Sequence, residues 1–244
     1  DDLCHFISPF TTHTGTAILQ LASYGGLWAE SQFGESGTVF NWDITYDPGT
    51  TSNSADRESL KPPVPISAHV TTDMVNLGDD KEQYRGPFDI RAGKRRDNYG
   101  PLMALCKTIA LPDAQLATEA PKILDLDEVL RCTALVNLWG VGDTYYTGGG
   151  LHHNIRLFTP DDATGVNFLP WDMDFAMSGA TSSPLMPAAS AGNLGRLINN
   201  IPGNRRLYLG HVRHLCATAF KSSYLAPWLT HYGAVVGQNF SGTS

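Results

Sequence analysis

NFLPWDMDFAM, Asn167 to Met177, sets two acids, Asp172 and Asp174, one residue apart inside an apolar run. A carboxylate is costly to bury unpaired, so the pair should face something that offsets that cost. Upstream, HNIRLF (His153–Phe158) and VNFLPWDMDF (Val166–Phe175) alternate with period two on either side of a polar TPDDATG (Thr159–Gly165). That pattern predicts an antiparallel hairpin with its turn centred near Asp162–Ala163. Residues i and i+2 of a strand share a face, so Asp172 and Asp174 are expected side by side. Leu169, Trp171, Met173 and Phe175 are then expected on the opposite, core face. Cross-strand partners should have numbers summing to about 325 or 326, and the even sum brings Asn154 onto the face of the acids. Two carboxylates and a carboxamide oxygen are hard ligands suited to Mg²⁺, Mn²⁺ or Ca²⁺.

The segment before the hairpin supplies a third element. DLDEVLRCTALVNLWGVGD (Asp125–Asp143) predicts the strongest helix of the chain, with Asp125 or Asp127 as its cap. Its apolar positions run nearly all round, which predicts a central helix. Gly140 and Gly142 end it, and Asp143 follows, before the glycine-rich TYYTGGG loop (Thr144–Gly150). An acid at the root of such a loop can act as a general base or orient a hydroxyl. The adjacent His152 and His153 lack a Cys or third His partner, and they read as structural or substrate-facing.

The remainder predicts an α+β chain, with hairpins first and helices between and after. TAILQLASYGGLWAESQF (Thr16–Phe33) reads as two strands about a Tyr24-Gly25-Gly26 turn. TYDPGTTSNSADRESLKPPVP (Thr45–Pro65) reads as a long loop. NYGPLMALCKTIALP (Asn98–Pro112) reads as a helix stopped at Pro112. The tail from Asn204 reads as two helices broken between Ser222 and Pro227. No second core is evident, so residues 1–244 are expected to form one domain. The chain begins at Asp1, which reads as a fragment or a processed form.

Composition narrows the function classes. With 244 residues, 42% hydrophobic and 17% charged, a sizeable core is expected and disorder is not. The net charge is −7, and the single tight basic cluster, Arg91–Asn98, reads as a solvated loop, so no nucleic-acid partner is expected. No apolar run reaches the ~20 residues of a membrane span. Cys4, Cys106, Cys132 and Cys216 have no metal-site spacing. They allow either two disulfides or, for the last three, buried thiols. Asn239-Phe240-Ser241 is a lone glycosylation sequon.

Asp143, TYYTGGGLHH, Asn154, IRLF, TPDDATGV and NFLPWDMDF together resemble the CotH kinase family, the spore-coat-protein-H-like atypical kinases. YGGLWAESQF resembles that family's strand leading to a Glu, matched here by Glu30. KILDLDEVLRCTALVNLWG resembles the helix before the catalytic Asp, and NRRLYLGHVRHL the helices after it. The resemblance covers roughly residues 20–235, with an Ile where the family usually has an aromatic after its Asn.

It implies a protein-kinase-like fold, with an N-terminal part missing, that uses ATP and Mg²⁺ or Mn²⁺ to phosphorylate Ser or Thr in a protein substrate. Asp143 is then the catalytic-loop acid. Asn154, Asp172 and Asp174 are the metal ligands, and Glu30 lies on the nucleotide side. The family's strand lysine has no counterpart, since the first lysine of the chain is Lys61. Arg156, two residues beyond Asn154, can offer the phosphate contact instead, with Lys94, Arg95 and Arg96 as weaker candidates. The resemblance implies secretion or a place on a cell surface or spore coat. Two other readings stand beside it: an inactive CotH-like adhesion or assembly module, and a glycosyltransferase whose metal is held by the Asp-x-Asp pair.

Overall fold

The computed structural model describes residues 2–5, 17–20, 24–34, 36–42, 73–93, 97–147, 152–188 and 191–240. The expected 45–65 loop and the basic residues 94–96 lie outside them, as do the glycines 148–150. The chain divides into two compact units, residues 1–23 with 213–244 and residues 24–212. In the first, β1 (Asp2–His5) pairs antiparallel with β2 (Ala17–Gln20).

The second unit is built on a four-stranded antiparallel sheet. Its strands are β3 (Gly37–Trp42), β4 (Phe88–Gly93), β5 (Ile155–Pro160) and β6 (Asn167–Pro170), in the order β4-β3-β5-β6. The α+β class is therefore as expected. The β5–β6 hairpin is also where the sequence puts it. Phe158 pairs with Asn167 and Ile155 with Pro170, which centres the turn between Asp162 and Ala163.

Two expectations about this hairpin are corrected. The register follows the odd sum, not the even one that the face-sharing construction needs. The strand also stops at Pro170, so Asp172 and Asp174 are not strand neighbours. Proline has no N–H to continue a ladder, and Asp172 follows in the left-handed region at φ 53°. Met173–Phe175 is a short 3₁₀ turn, and Phe175 is half exposed instead of buried in the core.

The Thr16–Phe33 hairpin is likewise corrected. After β2 comes α1 (Gly26–Phe33), between an extended Gly25 and a left-handed Gly34 whose N–H bonds Glu30 O. Gly34 is a glycine C-cap that the alternation of apolar residues hides. Ala29 and Phe33, one helical turn apart, face the sheet, where the Phe33 ring stacks on Phe158 at 4.4 Å.

That packing covers one sheet face with Ala29, Val39, Phe158 and Leu169. The other face carries the main core, with Phe40, Trp42, Phe88, Leu157 and Phe168 from the strands against Leu102, Leu105, Leu116 and Val129 from helices. Both faces being covered, all six residues of β5 are buried despite their alternating polarity. Each fully buried Phe contributes about 2–3 kcal/mol through the water it sheds.

The helices are α2 (Glu82–Arg85), α3 (Gly100–Ile109), α4 (Asp113–Ile123), α5 (Leu126–Leu138), α6 (Gly192–Asn199), α7 (Pro202–Ala217) and α8 (Ser222–Phe240). α5 is the expected central helix. Asp125 caps it by accepting Glu128 N–H at 3.1 Å. The tail breaks before Ser222, and Pro227 sits inside α8 instead of ending a helix. Cys106, Cys132 and Cys216 are free thiols, so two disulfides do not form. Cys106 and Cys132 are buried as expected, and burial pushes the Cys132 thiol up to about 12, whereas Cys216 is exposed. No helix among the described residues is long and apolar enough to cross a membrane.

α6 is anchored by Arg196, whose guanidinium donates to Asp113 Oδ1 at 2.6 Å and to Leu111 O at 2.7 Å. Arg196, followed by Asn200, holds the Asp113 carboxyl below the usual carboxylate range. A depressed folded value means that the stabilisation is present above the ordinary carboxylate range and is lost as pH falls through the depressed one. Asp113→Asn should therefore melt lower than the parent near pH 7. The gap should close as pH falls through the acid range, as followed by circular dichroism.

Candidate functional site

Asp143 is placed by fastening α5 at both ends to the hairpin. At its start, Asp125 N–H donates to Val166 O at 3.1 Å, and Val166 N–H donates to Ile123 O at 2.8 Å, just ahead of β6. Thirteen helical residues later, about 20 Å at 1.5 Å per residue, the chain turns at Gly140 in the left-handed region at φ 57°. The loop then runs against the segment that follows Asp172. Met177 N–H donates to Trp139 O at 2.6 Å, Gly179 N–H to Gly140 O at 3.1 Å, and Gly142 N–H to Phe175 O at 3.2 Å. Asp143 is thus the next residue after a stapled turn.

Two neighbours hold Asp143 itself. Asn154, 5% exposed, donates from Nδ2 to Asp143 O at 2.9 Å. A carbonyl can only accept, so this bond fixes the amide and turns Oδ1 the other way as an acceptor. His153, 3% exposed, sets Nε2 2.9 Å from Asp143 Oδ1. The Asp143 side chain stays 45% exposed, so one carboxylate is gripped by a buried imidazole and still open to solvent. Tyr145 N–H closes the loop by donating to His153 O at 3.0 Å.

Asn154 and Asp172 both adopt left-handed backbone, φ 60° and φ 53°, just beyond the paired ends of β5 and β6. Asn and Asp tolerate that region better than other residues bearing a Cβ. The two therefore lie on tight bends at the same end of the hairpin, not on a shared strand face. The Asp174 side chain lies outside the described residues. Among the described residues no three His, Cys, Asp or Glu side chains are gathered as a cage for a metal. A cation site here would rest on the Asn154 oxygen and Asp172, both hard donors that suit Mg²⁺, with Asp174 as the remaining acid.

Arg156 is 4% exposed, with its guanidinium carbon 3.1 Å from the centre of the Trp171 ring and Nε donating to Asn41 Oδ1 at 3.3 Å. It therefore sits beside the Asp172 bend, under aromatic cover. Glu30 lies on α1, not on a strand, and is half buried. Asp143, Asn154, Arg156 and Asp172 thus share one end of the hairpin. Glu30 lies on α1, the helix that covers the sheet face Arg156 shares with Phe158.

Asp73 and Tyr145 are missed by the sequence reading, and His153 is underweighted. Asp73 Oδ1 accepts the Tyr145 hydroxyl at 2.5 Å, and Oδ2 accepts Asn193 N–H at 2.8 Å, so it caps α6 and braces the Asp143 loop together. Burial, with Asp73 beside it, raises the Tyr145 hydroxyl well above its ordinary value. The Tyr145 and His152 rings meet at 4.5 Å, tilted by 37°, and burial lowers the His152 imidazole. The 72-residue separation of Asp73 and Tyr145 leaves no local signal. His153 could have been found as the residue beside Asn154, one place before a strand.

An antiparallel hairpin flanked by Asn and Asp bends, with a gripped acid at the foot of a central helix, is thus the arrangement at this end of the sheet. Residues 68–240 match the CotH kinase protein family, and the chain belongs to that family. No curated protein matches it.

His153→Ala should leave Asp143 with one anchor fewer. The expected outcome is a folded protein that melts lower than the parent, with part of the loss restored by His153→Gln, as followed by circular dichroism. Equal melting of His153→Ala and the parent would mean that the His153–Asp143 contact contributes nothing to the fold.

Proposed function

We propose that this chain is an ATP- and divalent-metal-dependent protein Ser/Thr kinase of the CotH type, forming a single kinase-like domain. The observation that carries this reading is the double anchoring of Asp143, by Asn154 Nδ2 on its carbonyl and His153 Nε2 on its carboxylate, beside the Asp172 bend. In phosphoryl transfer the protein's task is positioning and charge neutralisation. Asp143, half exposed, accepts the hydrogen bond of a substrate hydroxyl, points its oxygen in line with the γ-phosphorus of ATP and takes its proton as the O–P bond forms and the bond to the departing ADP breaks. His153 keeps the carboxylate from rotating away. Asn154, Asp172 and Asp174 would hold Mg²⁺ or Mn²⁺, which neutralises phosphate oxygens when bound. Glu30 and Arg156 are assigned to the nucleotide side. A secreted, cell-surface or spore-coat location follows from the family association and is part of the proposal.

One observation favours the alternative of a non-catalytic surface module. Lys81, Lys107 and Lys122 are each engaged by a surface carboxylate, Asp97, Asp79 and Glu119 respectively, and Arg156 lies under Trp171. The glycosyltransferase reading has less support. Its usual parallel nucleotide-binding sheet is absent among the described residues, whose sheet ladders are antiparallel.

Calorimetric titration with ATP, with and without Mg²⁺, separates the readings. Metal-dependent binding that is lost in the double variant Asp172→Ala/Asp174→Ala supports the kinase. Absence of any nucleotide binding supports the module. Asp143→Asn should keep ATP binding within about threefold while phosphate transfer to a Ser/Thr-containing protein falls by about 10²-fold or more. Equal loss of binding and transfer would remove the orienting role.

A further inference from the structure

A second concave site lies on the α1 side of the hairpin, with a volume of about 460 Å³. Tyr24, Trp28 and Phe33 make one wall, and Trp28 meets Tyr24 edge-on at 4.6 Å. The facing wall is the first turn of α5, with Asp125 and Glu128, and the floor is β6 with Asn167. Asn167 is 5% exposed; its Nδ2 donates to Gly165 O at 2.8 Å, and its Oδ1 is buried with no hydrogen-bond partner. A buried acceptor left without a partner is destabilising, so a donor that reaches it from outside gains a bond. Asp125 uses Oδ1 on the Glu128 N–H, and Glu128 is joined by Arg131, yet both remain carboxylates at the mouth. Among the described residues the lining holds no Lys, Arg or His; its acceptors are Asp125, Glu128 and Asn167 Oδ1, and its donors are the Gln32 amide, the Trp28 indole N–H and the Tyr24 hydroxyl, the last already donated to Pro170 O at 3.0 Å.

Aromatic walls, carboxylates and an orphaned amide oxygen select a flat, donor-rich cation and disfavour a phosphate-bearing ligand. The floor is β6, whose outer edge is engaged by residues 123–125 at Val166 and by the Tyr24 hydroxyl at Pro170 O, so a docked segment enters by a side chain and does not pair with the strand. We propose that this cleft docks an arginine side chain of a protein segment, its guanidinium over Trp28 and donating to Asn167 Oδ1 and Asp125. The site goes beyond the kinase reading and does not use Asp143, so it can stand or fall without it.

The test uses fluorescence anisotropy on the full chain, with a labelled pentapeptide bearing a central arginine between valines. Its citrulline twin has nearly the same shape without the charge. The expected result is measurable binding of the arginine peptide that weakens about tenfold or more for citrulline, for Trp28→Ala and for Asp125→Asn. Asparagine still caps a helix, so that last variant removes charge while sparing α5. Asp143→Asn should bind the peptide as the parent does, which keeps failure of the kinase reading distinguishable. Absence of binding at millimolar peptide would overturn the proposal. So would equal affinity for the citrulline twin, or competition by ATP, which would make the cleft a nucleotide pocket.

Discussion

The hydrogen bond from Asn154 Nδ2 to Asp143 O joins the two halves of the site. Asp143 hangs from the end of α5, and Asn154, eleven residues later, immediately precedes β5. Ten residues of sequence, three of them consecutive glycines, separate the two. A buried amide on the carbonyl fixes the peptide, and the His153 imidazole fixes the carboxylate. The rest of the unit serves this clamp. α5 is tied to Val166 at its start and to the 175–179 segment at its end, so the helix and the hairpin act as one frame.

That frame holds costly backbone. Asn154, Asp172 and Met177 all sit at positive φ within the same stretch of contacts. Left-handed residues bearing a Cβ cost roughly 1–2 kcal/mol each. Asn and Asp reduce that cost through their short polar side chains, but Met177 has no such help. Its bend is held by the bond from its N–H to Trp139 O. Strained conformations persist where the surroundings over-determine them, and they gather at sites where geometry matters more than stability. Here they turn two acceptor side chains off the ends of a hairpin whose interior is closed on both faces.

What the sequence made legible was local. The turn centre at Asp162–Ala163, the Asp125 cap and the central α5 follow from patterns within a dozen residues. The residues gathered at one end of the hairpin were also legible, because chemistry-bearing types cluster there. Their geometry was not. Period-two alternation ran through Pro170 without marking the end of the strand, and the odd register defeated the face-sharing argument. α1 was hidden because Leu27, Trp28, Ala29 and Glu30 suit strand and helix alike, and the decision falls to Gly34 and to Phe158, 125 residues beyond Phe33. The Asp73 brace could not be read at all, since only tertiary packing brings it to Tyr145.

Arg156 shows how one cation can serve this arrangement without being mobile. A guanidinium taken from water is tolerated only where its surroundings replace solvation. Trp171 supplies a ring face at 3.1 Å, Asn41 an acceptor, and Tyr24 a second ring at 5.6 Å. Tyr24 in turn bonds Pro170 O, the carbonyl where β6 ends, two residues before Asp172. The cation therefore contacts both the Tyr24 and Trp171 rings, which meet edge-on at 6.2 Å beside the Asp172 bend. A long flexible lysine could supply charge to a phosphate but could not lie flat on Trp171 and bond Asn41 in one plane. A fixed arginine at this place makes the bend rigid first. Any electrostatic help to a bound anion is a second consequence of the same side chain.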